Sequence, residues 1–170
     1  MIIEKIAVWG IQMPFRDGPY AMSHVTQEVV YGRILQVHTA DGQTGLGEVV
    51  FPPTLSVDER AQLIADESRY LSSLVGKDID GLMQLAEELS GRGRSWSGIA
   101  FGVETAGYDL LGKAGGLPVS NVLGGRLAEG VDDYFSISES SIELIRKRLA
   151  IAGSERKVIQ PKLGIGSPEE

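Results

Sequence analysis

Lys162 stands at the end of a strand-like run, Val158-Ile159-Gln160-Pro161, and is followed by Leu163-Gly164-Ile165-Gly166. A lysine acts as a base where burial or nearby positive charge favours its neutral form. The plainer alternative is a solvated surface lysine, the usual state of this side chain. Gln160 lies two positions back, on the same face of the strand, and brings hydrogen-bonding groups but no charge. Ser136 and Ser138 share one side of another strand-like run, residues 131–138, where they offer polar contacts.

A second set of ionisable groups, Glu104, Asp109 and Lys113, lies in one helical run. Asp109 and Lys113 stand at the i, i+4 spacing of an ion pair, so this set is expected to fix the helix and its junction with the next domain instead of doing chemistry. His24 sits in a polar loop and His38 in a strand, and neither has partners at metal-ligand spacing. Ser68, Ser72 and Ser73 lie on a helix surface without a nucleophile motif. In "GKAGGLP" the lysine precedes the glycines, the reverse of a phosphate-binding loop. The absence of cysteine excludes a disulfide scaffold and a thiolate nucleophile. A net charge of −7 argues against nucleic acid or an anionic membrane as partner. No run approaches the ~18 apolar residues of a membrane span. Residues 1–10 do not read as a signal peptide, so the expected location is the cytoplasm.

The elements that must position these residues follow from periodicity and turn chemistry. Residues 5–15, 28–39 and 43–50 read as strands, with Asp41-Gly42 as the tight turn between the last two; together they predict a three-stranded antiparallel meander. Ser56 and Glu59 form a capping box before a helix with Val57, Ala61, Ile64, Leu71 and Leu74 on its apolar side and Gly76 as its stop. Asp80 is the expected cap of a second helix carrying Leu82, Leu85, Ala86 and Leu89. A third starts near Trp96, with Ile99, Val103, Ala106 and Leu110 on one face. After Arg126 the order becomes strand (131–138), amphipathic helix (141–153), strand (157–164), one β-α-β unit of a parallel α/β fold. The chain therefore divides into an α+β domain, residues 1–126, and the start of an α/β domain, residues 127–170.

Three segments in this order resemble the mandelate racemase and muconate lactonizing enzyme family of the enolase superfamily. Residues 98–126 carry Val103-Glu104-x-Ala106, Asp109-Leu110-x-Gly112-Lys113, Leu117-Pro118-Val119 and Leu123-Gly124-Gly125, similar to the family's signature helix. "TADGQTGLGEV", residues 39–49, resembles its G-x-G-E turn, and "QPKLGIG" resembles its K-x-K strand end. The resemblance implies an N-terminal α+β capping domain followed by a TIM-like (β/α) barrel, of which residues 127–170 would be the first β-α-β unit, truncated. It implies Mg²⁺-dependent removal of the α-proton of a small carboxylate, by a racemase, epimerase, dehydratase or cycloisomerase. Lys162 falls on the second lysine of the motif, the base, and Gln160 replaces the first. Glutamine there also resembles subgroups acting on amino-acid derivatives such as proline or hydroxyproline betaines. Metal ligands are expected beyond residue 170. The loops at residues 14–24 and 49–56 would cover the barrel mouth, making Tyr20, Met22 and Phe51 substrate contacts or, equally, core or interface residues; Ser136 would add a polar contact. A homo-oligomer is expected. The alternative is a non-catalytic capping-domain fragment that acts in protein–protein association.

Overall fold

The computed structural model describes residues 1–16, 18–22, 25–139, 141–153 and 158–162. His24 and the segment 163–166, both named above, lie outside the described residues. In chain order the elements begin with strands β1 (Ile3–Pro14), β2 (Tyr20–Ala21), β3 (Thr26–Gln27), β4 (Val29–Thr39) and β5 (Thr44–Val50). Helices α1 (Val57–Ser72), α2 (Ile79–Ser90), α3 (Ser97–Gly115) and α4 (Val119–Val122) follow, and then β6 (Tyr134–Ile137), α5 (Ile142–Ala152) and β7 (Val158–Pro161). They group into two compact units, Met1–Met13 with Val30–Arg126, and Pro14–Val29 with Leu127–Glu170. The segment Pro14–Val29 therefore belongs with the second unit. The sequence places it in the first domain because nothing local in a loop reveals its distant hydrogen bonds.

In the first unit β4 lies between β1 and β5. β4 and β5 pair antiparallel from Gly32↔Val50 to His38↔Thr44, around a turn in which Gly42 takes φ of 83°. His38 Nδ1 meets Thr44 Oγ1 at 3.3 Å, so this histidine is satisfied across the strand pair. Alternation buries Leu35 and Val37 on β4 and Gly45, Gly47 and Val49 on β5.

α3 packs against β5 and α2. A Cβ at Gly47 would collide with the carbonyl of Gly102, and one at Gly45 with the carbonyl of Ala106. The G-x-G of the hairpin thus exists so that α3 can rest its backbone on β5. Ile99, Val103, Ala106 and Leu110 of α3 are fully buried, as are Leu82 and Leu89 of α2. Each large aliphatic side chain of this kind contributes about 1.5–3 kcal/mol on burial.

Two helix expectations need correction. α1 has the capping box, with Ser56 Oγ accepting from Glu59 N and Glu59 Oε2 accepting from Ser56 N. Its buried stripe, however, is Leu63, Glu67 and Leu71, while Val57 is 71% exposed and Ala61 also faces out. A carboxylate in the middle of the stripe shifts the apparent phase. The helix also ends at Ser72, before Gly76, which forms a separate turn with φ of 86°. α2 is capped by Asp78, whose side chain accepts from Gly81 N at 3.1 Å, and Asp80 lies within its first turn. Ile79, the first helical residue, is buried and donates its N–H to Met1 O at 3.1 Å, which sets the helix start two residues earlier than expected.

Asp109 and Lys113 do fix α3, but to the sheet edge. Asp109 Oδ2 accepts from Leu46 N at 2.8 Å and from Lys113 Nζ at 2.7 Å, and Lys113 Nζ also donates to Thr44 O at 2.7 Å. β5 is an edge strand, so its outward N–H and C=O groups have no strand partner and these side chains supply one.

Candidate active site around Lys162 and Tyr20

The second unit carries a parallel pair, β6 with β7, linked through α5. Ser141 starts α5 by accepting from Leu144 N at 3.3 Å. In the β6–β7 register Ser136 stands opposite Gln160 and Ile137 opposite Pro161. Lys162 N then donates to Ile137 O at 2.9 Å, extending the ladder by one residue. Pro161 has no N–H to give, which suits a strand end. Gln160 and Lys162, two apart, project to one face, and so do Ser136 and Ser138.

A short hairpin closes over that face. β2 and β3 pair antiparallel, Tyr20↔Gln27 and Ala21↔Thr26, where the sequence predicts only a loop. Two-residue strands are too brief to leave a periodic signal. Tyr20 Oη lies 3.3 Å from Ser136 Oγ. Lys162 Nζ lies 4.1 Å from the centroid of the Tyr20 ring, within cation–π range. Phe15 stacks on Tyr20 with centroids 5.4 Å apart and planes inclined by 23°. Burial pushes the Tyr20 phenol up, but hydrogen bonding to Lys162, Ser136 and Ser138 and the Lys162 charge outweigh it and leave the phenol below its ordinary value.

Beside Tyr20 lies a cavity of about 430 Å³ lined by Phe15, Arg16, Tyr20, Ser136, Ser138, Glu139 and Arg148, with Gly18, Pro19 and Ala21. Glu139 Oε1 pairs with Arg148 Nε at 3.0 Å. Among the described residues, the wall therefore carries charged groups of both signs, Arg16 and Arg148 with Glu139.

Of the residues singled out in the sequence, Lys162, Gln160, Tyr20 and Ser136 thus belong to one cluster or its strand register. Met22 holds the β2–β3 turn through its backbone: its N–H donates to Val25 O at 2.9 Å. Phe51 belongs to the first unit, where it is 3% exposed and packs in the hydrophobic core. It takes the core placement because it continues the alternation of β5: its N–H donates to Tyr31 O at 3.0 Å and its side chain follows Val49 inward. The cavity residues Arg16, Glu139 and Arg148 escape sequence reasoning, since no spacing rule joins a loop arginine to a strand-end glutamate and a helix arginine. Among the described residues no three His, Cys, Asp or Glu side chains come together to hold a metal ion, so a Mg²⁺ site does not fit these residues alone. Nor is any helix among them long and apolar enough to cross a membrane.

Comparison with known proteins identifies the family of the fold. The sequence profile of the mandelate racemase / muconate lactonizing enzyme N-terminal domain matches residues 5–124. The cis-3-hydroxy-L-proline dehydratase of Roseibium aggregatum is 26% identical over 155 residues, covering 88% of this chain and 41% of that protein. The aromatic dipeptide epimerase of Herpetosiphon aurantiacus is 29% identical over 123 residues, covering 72% of this chain and 34% of that protein. Among solved structures, a dipeptide epimerase from Methylococcus capsulatus, complexed with Mg and L-Arg-D-Lys, superposes with a TM-score of 0.75 at 26% identity, over 96% of this chain and 46% of that one. The chain spans less than half the length of each of these relatives. With its capping sheet, its glycine-seated signature helix and a profile match across most of its length, the chain belongs to the mandelate racemase / muconate lactonizing enzyme family.

Proposed function

We propose that the whole protein is an enolase-superfamily enzyme that removes the α-proton of a small carboxylate, with Lys162 as the base that takes or returns the proton. The observation that carries this reading is the position of Lys162, one residue past β7 and beside Tyr20 and Ser136. On this reading residues 127–170 begin a (β/α) barrel, whose active sites lie at the C-terminal ends of the strands, where Lys162 stands. The named relatives, a dehydratase and two epimerases, share the need to abstract a proton beside a carboxylate and differ in the step after it.

The proposed cofactor is Mg²⁺, as in the Methylococcus relative, with ligands on residues beyond position 170. When bound it would stabilise the negative charge that develops on the carboxylate. The described residues have separate tasks. Ser136 and Gln160 offer hydrogen bonds on the face that carries Lys162. As substrate class we propose an amino-acid derivative, such as a hydroxyproline or a proline betaine. Glutamine at position 160 and the hydroxyproline dehydratase among the relatives support that choice. The same reading makes the protein a cytoplasmic homo-oligomer.

The test is solvent deuterium incorporation at Cα. The complete reading frame that contains this chain is expressed, supplied with Mg²⁺ and D₂O, and offered hydroxyprolines, their betaines and dipeptides. Exchange or turnover of one class supports the reading. A well-folded, Mg²⁺-loaded protein that exchanges none of them overturns the substrate proposal, and one that also leaves simple α-hydroxy acids untouched overturns the reaction.

A further inference from the structure

The sequence makes Tyr20 a substrate contact or, equally, a core or interface residue, and its recognition groups are engaged within the protein. Its hydroxyl meets Ser136 Oγ at 3.3 Å, its ring stacks with Phe15 at 5.4 Å, and the Lys162 amine sits 4.1 Å from its centroid. We propose that Tyr20 is the positioning residue of Lys162: its ring seats the amine, and its hydroxyl ties that seat to Ser136 on the adjoining strand. The proposal rests on the reading of Lys162 as the proton-transfer group.

The physical need is clear from the lysine itself. Its amine hangs on a flexible four-carbon stem, whereas proton transfer demands a fixed approach to the reacting carbon. Gln160, exposed and uncharged, offers no charge to restrain it. An aromatic face does so for the ammonium, the form that has taken the proton and returns it, since the ring quadrupole attracts a cation directionally. The contacts close a ring. Tyr20 bonds to Ser136, β6 pairs with β7 in the register Ser136↔Gln160, Lys162 N bonds to Ile137 O, and the Lys162 side chain returns to Tyr20. Each contact constrains the next, so the amine position depends on the hairpin and on both strands. Among the described residues, the charged side chains lining the adjoining cavity are Arg16 on the loop, Glu139 after β6 and Arg148 on α5.

The experiment is competitive acetylation of the full chain with trace acetic anhydride. The rate at Lys162 is read by mass spectrometry relative to the exposed Lys5 and Lys77. In the unaltered protein Lys162 is expected to react more slowly than either. Tyr20→Leu removes the seat and raises the Lys162 ratio by about 3- to 10-fold, the range of a partly desolvated cation–π contact. Tyr20→Phe keeps the ring but loses the hydroxyl's bonds to Ser136 and to Lys162 itself, so it raises the ratio by about 2-fold or more. Ser136→Ala cuts the Tyr20–Ser136 bond alone, so it should raise the ratio by less than Tyr20→Phe, with no further rise when the two are combined. Melting temperatures identify any variant that unfolds, and Tyr20→Phe with Ser136→Ala carries the test if Tyr20→Leu does. An unchanged ratio in folded Tyr20→Leu, or additive effects of the two milder changes, overturns the proposal. The ratio is independent of turnover, so the positioning role and the proposed reaction fail separately.

Discussion

At the scale of single residues, the proposed chemistry concentrates on Lys162, whose described surroundings come from separate stretches of chain. The phenol of Tyr20 is held below its ordinary value partly by Lys162, so Lys162→Met should move its ionisation to higher pH, followed by NMR of the ring Cζ. No movement would mean that the two side chains do not meet in solution. Asp109 makes a different case. It satisfies Leu46 N and Lys113 on an edge strand, and Asp109→Ala should cost about 1–3 kcal/mol of stability, read from urea unfolding. Lys162, Gln160, Ser136 and Tyr20 could each be named from the sequence, because strand ends, alternation and the family's motif order mark them. Their meeting could not, since it depends on a hairpin of two-residue strands. Arg148 and Glu139 lie on opposite sides of a helix start, and no spacing rule pairs them.

At the scale of elements, glycine placement decides how the first unit packs. α3 rests on β5 where Gly47 faces the Gly102 carbonyl and Gly45 the Ala106 carbonyl. Gly47→Ala puts a methyl group into backbone, and a loss of more than about 3 kcal/mol is expected, above the usual range for overpacking because neither partner can rotate away. Thermal unfolding checks it, and a loss under about 1 kcal/mol would show that the helix is not seated there. The cap is milder: Ser56→Ala should cost about 1 kcal/mol. Strand and helix identities in this unit are largely legible, because apolar periodicity and caps are local signals. The face of α1 is not, since Glu67 occupies a core position that any hydrophobic count assigns to solvent.

At the scale of the whole molecule, that same Glu67 links stability to pH. It is fully buried in charge contact with Arg33, yet neither carboxylate oxygen has hydrogen-bond geometry to a partner. Burial pushes its carboxyl up from 4.5 to about 7, against the lowering pull of Arg33. A raised acid binds its proton more tightly when folded, so its stabilising contribution is full below the unfolded value and lost as pH rises through the folded one. Between about pH 4.5 and pH 7 the chain should lose up to about 3 kcal/mol through this group. Urea unfolding of Glu67→Gln over that range should show the slope flattened relative to the parent protein, and an unaltered slope would assign it elsewhere. The division of the chain is also a property of the whole. A boundary after Arg126 follows from the change of pattern, but only distant contacts assign Pro14–Val29 to the second unit. That assignment puts Tyr20 and Lys162 in one unit, and the proposed reaction stands or falls on Lys162. The decisive measurement is the rate of α-proton exchange with solvent by the complete Mg²⁺-loaded protein and its Lys162→Ala variant, on the carboxylate the parent protein turns over. If Lys162 is the base, the variant loses at least about 10³-fold in rate with its melting temperature retained; exchange at the parent rate would contradict that role.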